Sequence, residues 1–325
     1  MGGLGGAFAD ASAAELGGTA IAAAMNASGI TAAEVDELIM GCVLSAGQGQ
    51  APARQAGFHG GLGQNVPAST VNKMCGSGMR AVMIAHDQLA LGDARVMVAG
   101  GMESMTNAPY LLHRMRRGTR LSHDAVIDHM FLDGLENAYE KGRLMGTFAE
   151  HCAVKYQFTR AEQDAYALSS LERARNAADT GIFSREIAEH ITGRPGKQTR
   201  VIRDEQLDTA RAEKIPHLKP AFSKDGTVTA ANASSISDGA AALVLMRESE
   251  AKARGAKVRA RILGHASHAH MPSQFATAPI PAIRKLIDRC GLKQSDVELW
   301  EINEAFAVVP MAAMAELGGR IYRPS

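Results

Sequence analysis

At 325 residues, with 46% hydrophobic and 21% charged side chains, the chain carries enough apolar surface to offset the ordering entropy of one large α/β unit or of two to three packed domains. That excludes general disorder and a lone binding peptide. Thirty-five basic against thirty-four acidic side chains leave a formal charge of +1, too weak a field to steer the molecule onto nucleic acid or anionic lipid, so neither partner is expected.

Ser12-Ala13-Ala14-Glu15 places an N-cap hydroxyl three residues before a carboxylate, which predicts a helix over Ser12 to Ser28. Thr31 to Glu34 repeats the pattern, Leu38-Ile39-Met40 reads as a short strand, and Ser45 to Gln50 is rich in turn formers. Ala68 to Asn72 is a strand, Gly76 to Leu91 a helix with Met79, Val82, Met83 and Leu89 facing inward, and Arg95 to Ala99 a strand. Such alternation implies an α/β fold whose mainly parallel sheet is covered on both faces.

After Glu103 the chain becomes richer in charge, with a basic run from His113 to Arg120 and a capped helix over Thr159 to Asp179. Asn107 to about Pro220 therefore reads as an inserted excursion. Apolar strand signals return at Gly239 to Met246 and at Val258 to Gly264. An internal echo links the two ends: Ala20-Ile21 through Gly29-Ile30 to Glu34-Val35 matches Ala282-Ile283 through Gly291-Leu292 to Asp296-Val297, at the constant offset that carries Gly29 to Gly291. Each copy reads as helix, glycine stop, linker and strand, so a fold of two related halves is expected.

The four cysteines, Cys42, Cys75, Cys152 and Cys290, lack the paired spacing of a zinc site or a disulfide framework, and no metal is expected. With no apolar run of about eighteen residues, no membrane span is expected, and a reduced cytoplasm fits. Cys75 stands apart. Asn72-Lys73-Met74-Cys75-Gly76-Ser77-Gly78 lies between a predicted strand and a predicted helix, where free N–H groups at the helix start favour a thiolate. Gly76 and Gly78 would let a substrate carbonyl approach the backbone, as an acyl-transfer site requires. The alternative is a small buried residue beside glycines that serve only helix packing.

Val71 through Ala81, reading VNKMCGSGMRA, resembles the acyl-cysteine segment of the thiolases, enzymes that make or cleave 3-ketoacyl-CoA. Matches follow at Gly47-Gln48-Gly49-Gln50 with Ala53-Arg54-Gln55, Gly100-Gly101-Met102-Glu103-Ser104-Met105, Lys219-Pro220-Ala221-Phe222, Asn232-Ala233-Ser234 with Asp238-Gly239-Ala240-Ala241, and Asn303-Glu304-Ala305-Phe306-Ala307. The resemblance runs from Gly2 to about Gly318. It implies duplicated βαβαβαββ halves in layered α/β/α packing: residues 1–106 with 221–248 as the N-terminal half, 107–220 as an inserted loop domain, and 249–325 as an incomplete C-terminal half.

The same resemblance implies that Cys75 carries the acyl group and that Asn303 positions a water at a thioester oxygen. Leu135, Met145, Phe222, Ser234, Ala305 and Phe306 would line the pantetheine tunnel or cover the site. Phe222 and Phe306 also read as core aromatics, and Ser234 as a turn cap. The implied reaction is condensation of two acetyl-CoA to acetoacetyl-CoA, or its reverse, with CoA esters as substrates, no further cofactor, and a dimer or tetramer as the assembly. Longer-chain 3-ketoacyl-CoA thiolysis is the alternative, since Leu144 stands where acetoacetyl-CoA thiolases tend to carry histidine; a noncatalytic CoA-ester-binding fragment is another. Glu103 is expected to serve as a hydrogen-bonding strut, and the arginines of the basic run as a solvated face.

Two family motifs, Gly-His-Pro and Cys-x-Gly-Gly-Gly, do not occur in the sequence, and none of its eleven histidines precedes proline. The chain is therefore expected to be shortened at both ends and impaired in turnover, for want of the activating base.

Overall fold

The structure, a computed structural model, describes residues 1–318 other than Thr119, Ser122 and Pro195. In chain order it contains β1 (Gly2–Gly3), α1 (Ala13–Ser28), β2 (Glu37–Gly41), α2 (Pro52–His59), β3 (Ala68–Val71), α3 (Ser77–Leu91) and β4 (Val96–Ser104). Then come β5 (Tyr110–Leu111), β6 (Ile127–Asp128), α4 (Met145–Tyr156), α5 (Arg160–Asp179), β7 (His190–Thr192), β8 (Thr199–Val201) and α6 (Glu205–Thr209). The last are β9 (Ser237–Met246), α7 (Glu248–Ala253), α8 (Pro279–Cys290) and α9 (Val308–Leu317). Contacts divide the chain into two compact units, one of residues 1–134, 183–208 and 236–261, the other of residues 135–182, 209–235 and 262–325. This division follows compactness and is silent on the duplication expected from sequence.

The first unit is built on a five-stranded sheet in the order β1-β9-β4-β2-β3. It is mixed rather than mainly parallel: β2 runs parallel to β3 and β4, while β9 runs antiparallel to β4 and β1. The antiparallel pairs arise because β9 reaches the sheet after the long excursion, not through a short helical crossover. Side chains alternate across the sheet as the two-residue period demands. Leu38, Met40, Val96 and Val98 join Ile21 and Met25 of α1 and Ala53 and Ala56 of α2 on one face. Ile39, Met97 and Ala99 join Ala81, Ala85 and Leu89 of α3 on the other. The inward stripe of α3 thus runs through Ala81, Ala85 and Leu89, and Met79, expected inside, is 67% exposed.

Glycines set the distance between α3 and the sheet. A Cβ on Gly41 would lie 2.4 Å from the Ser77 carbonyl carbon, and one on Gly101 would lie 3.2 Å from Gly78 Cα. The start of α3 therefore rests on main chain, with no side chain interposed.

The second unit is helical. Apolar residues of α4, α8 and α9, with Val228 and Phe306, form its core, and α9 is apolar on almost every side, as a helix enclosed by neighbours must be. Buried Glu150 on α4 accepts hydrogen bonds from the backbone N–H groups of Thr227 (2.9 Å) and Val228 (2.9 Å), which ties the 227–235 segment to this core. No strand is assigned within Val258 to Gly264, contrary to expectation; the segment is extended in sequence character but pairs with no ladder among the described residues.

The internal echo is carried in the hydrogen bonding. Gly29 and Gly291 both end their helices in the left-handed region, at φ 69° and 65°. The bonds Ile30 N–H to Met25 O and Glu34 N–H to Thr31 O recur as Leu292 N–H to Ile287 O and Asp296 N–H to Lys293 O. In each copy the carboxylate three residues on, Glu34 or Asp296, accepts from the backbone N–H of Thr31 or Lys293 at 2.8 Å.

Candidate active site

Cys75 occupies the loop between β3 and α3, one residue before the helix cap at Gly76. The loop is tightly hydrogen-bonded. Met74 N–H donates to Asn72 Oδ1 (2.9 Å), Lys73 N–H donates to Ser77 Oγ (2.8 Å), and Ser77 Oγ–H donates to Met74 O (2.5 Å). Gly76 N–H bonds Lys73 O at 3.1 Å. Met74 itself is held at φ 50°, a left-handed conformation that costs a non-glycine residue on the order of 1 kcal/mol and persists only where the surroundings enforce it. These bonds turn the chain sharply at the residue before the thiol and leave Cys75 exposed.

The other cysteines differ. Burial, with the Glu103 carboxylate beside it, pushes the Cys42 thiol up to about 12, and burial pushes Cys152 up to about 11; both stay protonated and enclosed. Cys290 is half-buried. Exposure and loop geometry therefore single out Cys75 as the nucleophile candidate, and the reading of it as a small buried residue fails. A Cβ on Gly78 would lie 3.5 Å from Gly101 N and one on Gly76 3.4 Å from Lys73 O, ordinary contacts in both places. Glu103 is the strut expected, accepting from the backbone N–H groups of Val43 (2.9 Å) and Leu44 (3.0 Å). Arg114, Arg116, Arg117 and Arg120 are all exposed.

Of the sequence-derived site residues, Cys75 belongs to the first unit and the other seven to the second. Within the second unit, Met145, Phe222, Ala305 and Phe306 share one apolar cluster, and the Phe222 and Phe306 rings meet edge-to-face at 5.9 Å. A Cβ on Gly146 would strike the Phe222 ring at 2.4 Å, so glycine there admits the ring against α4. Ser234 is bonded to the 303–307 turn: its N–H donates to Ala305 O (2.9 Å) and its Oγ–H to Glu304 O (2.6 Å). Leu135 closes a π-helical turn, Phe131–Leu135, and is half-buried. Asn303 is exposed at the head of its turn.

Sequence reading missed Glu304, whose carboxylate accepts hydrogen bonds from the hydroxyls of Tyr166 and Ser170. It also missed α2, which starts after Ala51 at φ 50° with Pro52 at its first position. A proline at a helix start was the available signal.

Comparison with known proteins gives a consistent picture. Residues 1–249 match the family model of the thiolase N-terminal domain, and residues 256–322 that of the thiolase C-terminal domain. The chain is 47% identical to acetyl-CoA acetyltransferase 2 of Arabidopsis thaliana over 98% of its own length and 79% of the relative's. It is 44% identical to a probable acetyl-CoA acetyltransferase of Dictyostelium discoideum, over 96% of this chain and 75% of that one. The crystal structure of the Bacillus anthracis acetyl-CoA acetyltransferase superposes with a TM-score of 0.93 at 37% identity, covering 98% of this chain and 80% of that chain. Among the described residues no helix is long and apolar enough to cross a membrane. With both domain models matched along nearly all of its length, this chain belongs to the thiolase family of acyltransferases.

Proposed function

We propose that the chain is an acetyl-CoA C-acetyltransferase that works through a Cys75 acyl-enzyme. The carrying observation is Cys75 itself, an exposed thiol on a hydrogen-bonded loop at the start of α3, while Cys42 and Cys152 are enclosed. In the first half-reaction Cys75 Sγ attacks the thioester carbonyl, the bond to the CoA sulfur breaks, and CoA leaves with the thiol's proton. In the second, the methyl carbon of another acetyl-CoA gives up a proton and attacks the acyl carbonyl, the bond to Cys75 Sγ breaks, and the freed sulfur regains a proton.

Acetyl as the group transferred is supported by the names of the relatives, which are acetyl-CoA acetyltransferases in Arabidopsis and Dictyostelium. Acyl-CoA and CoA are then the small-molecule partners, with no separate cofactor. Asn303 positions a water that donates to a thioester oxygen, and Leu135, Met145, Phe222, Ser234, Ala305 and Phe306 line the pantetheine tunnel or cover the site. A homo-oligomer in the cytoplasm completes the reading.

Incubation with carbon-13-labelled acetyl-CoA, followed by intact-mass and peptide analysis, should find one acetyl group on Cys75 and none on Cys75→Ala. An adduct that persists in the alanine variant, or no adduct in the parent chain, overturns the proposal.

A further inference from the structure

Glu304, next to Asn303 on the same turn, is held by three hydrogen bonds. The Tyr166 hydroxyl donates to Glu304 Oε1 at 2.7 Å, and the Ser170 hydroxyl donates to Oε2 at 2.7 Å. The Glu304 carbonyl accepts from Ser234 Oγ–H at 2.6 Å. Tyr166 and Ser170 stand four residues apart on α5 and so share a face of that helix. Two main-chain bonds, Ser234 N–H to Ala305 O (2.9 Å) and Ala307 N–H to Asn232 O (2.8 Å), hold the remainder of the turn.

The support continues into α5. Buried Asn232, 3% exposed, donates through Nδ2 to Asp164 Oδ1 (3.0 Å), and Asp164 accepts from Arg160 Nε at 2.6 Å. One helix therefore grips the 303–307 turn from both sides, through Asp164 to Asn232 and through Tyr166 and Ser170 to Glu304. Both Glu304 oxygens are taken up by charge-assisted bonds, which are short and directional. Burial, reinforced by the Glu304 carboxylate, raises the Tyr166 hydroxyl well above its ordinary range, so it remains a donor at any working pH.

We infer that Glu304, held by Tyr166 and Ser170, is a positioning residue that fixes the direction in which Asn303 presents its amide. This rests on the Asn303 role given above. The neighbour's side chain and carbonyl are both fixed, so the chain leaving Asn303 has one orientation, and an exposed amide that would otherwise sample several rotamers starts from a fixed Cα. Misplacement of a catalytic amide by about 1 Å costs on the order of 100-fold in rate, so loosening this grip should register in the acylation step rather than in substrate affinity.

The test is single-turnover acetylation of Cys75 by acetyl-CoA in Tyr166→Phe, Ser170→Ala, the double variant, Asn303→Ala, and the double variant combined with Asn303→Ala. The double variant should lower the maximal acylation rate by about 10-fold to 100-fold, leave half-saturation unchanged, and cause no further loss when added to Asn303→Ala. Independent losses that multiply would mean a merely structural role and overturn the inference. If Asn303→Ala acylates at the parent rate, the Asn303 assignment in the proposed function fails; if Asn303→Ala is slow but the double variant is normal, only the present inference fails.

A readout free of activity accompanies these rates. In protein labelled with nitrogen-15 asparagine, the Asn303 side-chain signals, identified by their loss in Asn303→Ala, should shift or broaden in the double variant. Unchanged signals overturn the inference even if Cys75 takes no acetyl group. Tyr166→Phe and Ser170→Ala alone, each removing one bond, cover the case in which the double variant does not fold.

Discussion

The two copies of the internal echo share their local hydrogen bonds and differ in what they bury. In the first, Ile21, Met25, Ile30 and Val35 are enclosed, at 0%, 7%, 7% and 4% exposure, and the segment runs on into β2 with Leu38 fully buried. In the second, the counterparts Ile283, Ile287, Leu292 and Val297 are all half-buried, the following residues join no ladder, and Leu299 is 84% exposed. The same helix stop, the same glycine conformation and the same carboxylate bond therefore form whether or not the neighbourhood is closed. Capping is settled within a few residues; strand status is settled by partners far along the chain.

The comparison can be broken most forcefully in the core. Ile21→Ala should destabilise the protein by about 3 to 4 kcal/mol through lost burial and the cavity left behind, against about 1 kcal/mol for Ile283→Ala at its half-buried position. Denaturant unfolding measures both, and equal losses would show that the second copy is as enclosed as the first. Glycine substitutions should show the opposite. Gly29→Ala and Gly291→Ala each force alanine into the left-handed region, with no neighbour within 4 Å of the new methyl, so each should cost about 1 kcal/mol and the two should match. A marked difference between them would mean that the cap is not local.

The smallest effect concerns pH. Hydrogen bonds from the Thr31 hydroxyl and N–H, with Arg254 nearby, lower the Glu34 carboxyl from 4.5 to about 2. A carboxyl depressed on folding stabilises fully above its unfolded value, and that contribution is lost as pH falls through the folded one. Glu34→Gln should therefore lie below the parent in thermal midpoint at neutral pH, with the gap closing between about pH 4.5 and about pH 2. A gap that is constant with pH would remove the charge from the explanation.

What could be read from the sequence follows the same division. The capping boxes at Ser12/Glu15 and Thr159/Glu162 formed as expected because each lies within four residues. The strands at Leu38–Met40, Ala68–Val71 and Gly239–Met246 carried enough apolar or β-branched character to be recognised. The antiparallel placement of β9 against β4, however, depends on residues more than a hundred positions apart. Met79 was misassigned because α3 meets the sheet through Ala81, Ala85 and Leu89, with glycine contacts at the helix start, and Met79 lies outside that stripe. Cys75 was singled out by its motif, whereas its exposure and the enclosure of Cys42 and Cys152 came only from the fold. The bonds from Tyr166 and Ser170 to Glu304 span more than 130 residues and left no local trace.

The contact of Gly41 and Gly101 with the start of α3 bears on how such a thiol can be retuned. Side-chain volume sets most helix-to-sheet distances, and those distances drift as residues are exchanged. Here the spacing is bone on bone, so ordinary substitution has nothing to trim, and the height of the Cys75 thiol above the strands can change only by a jump. A single added carbon beneath Ser77 would lift the whole helix start and carry the sulfur with it, which makes this seam the place where the position of that thiol is least free to wander.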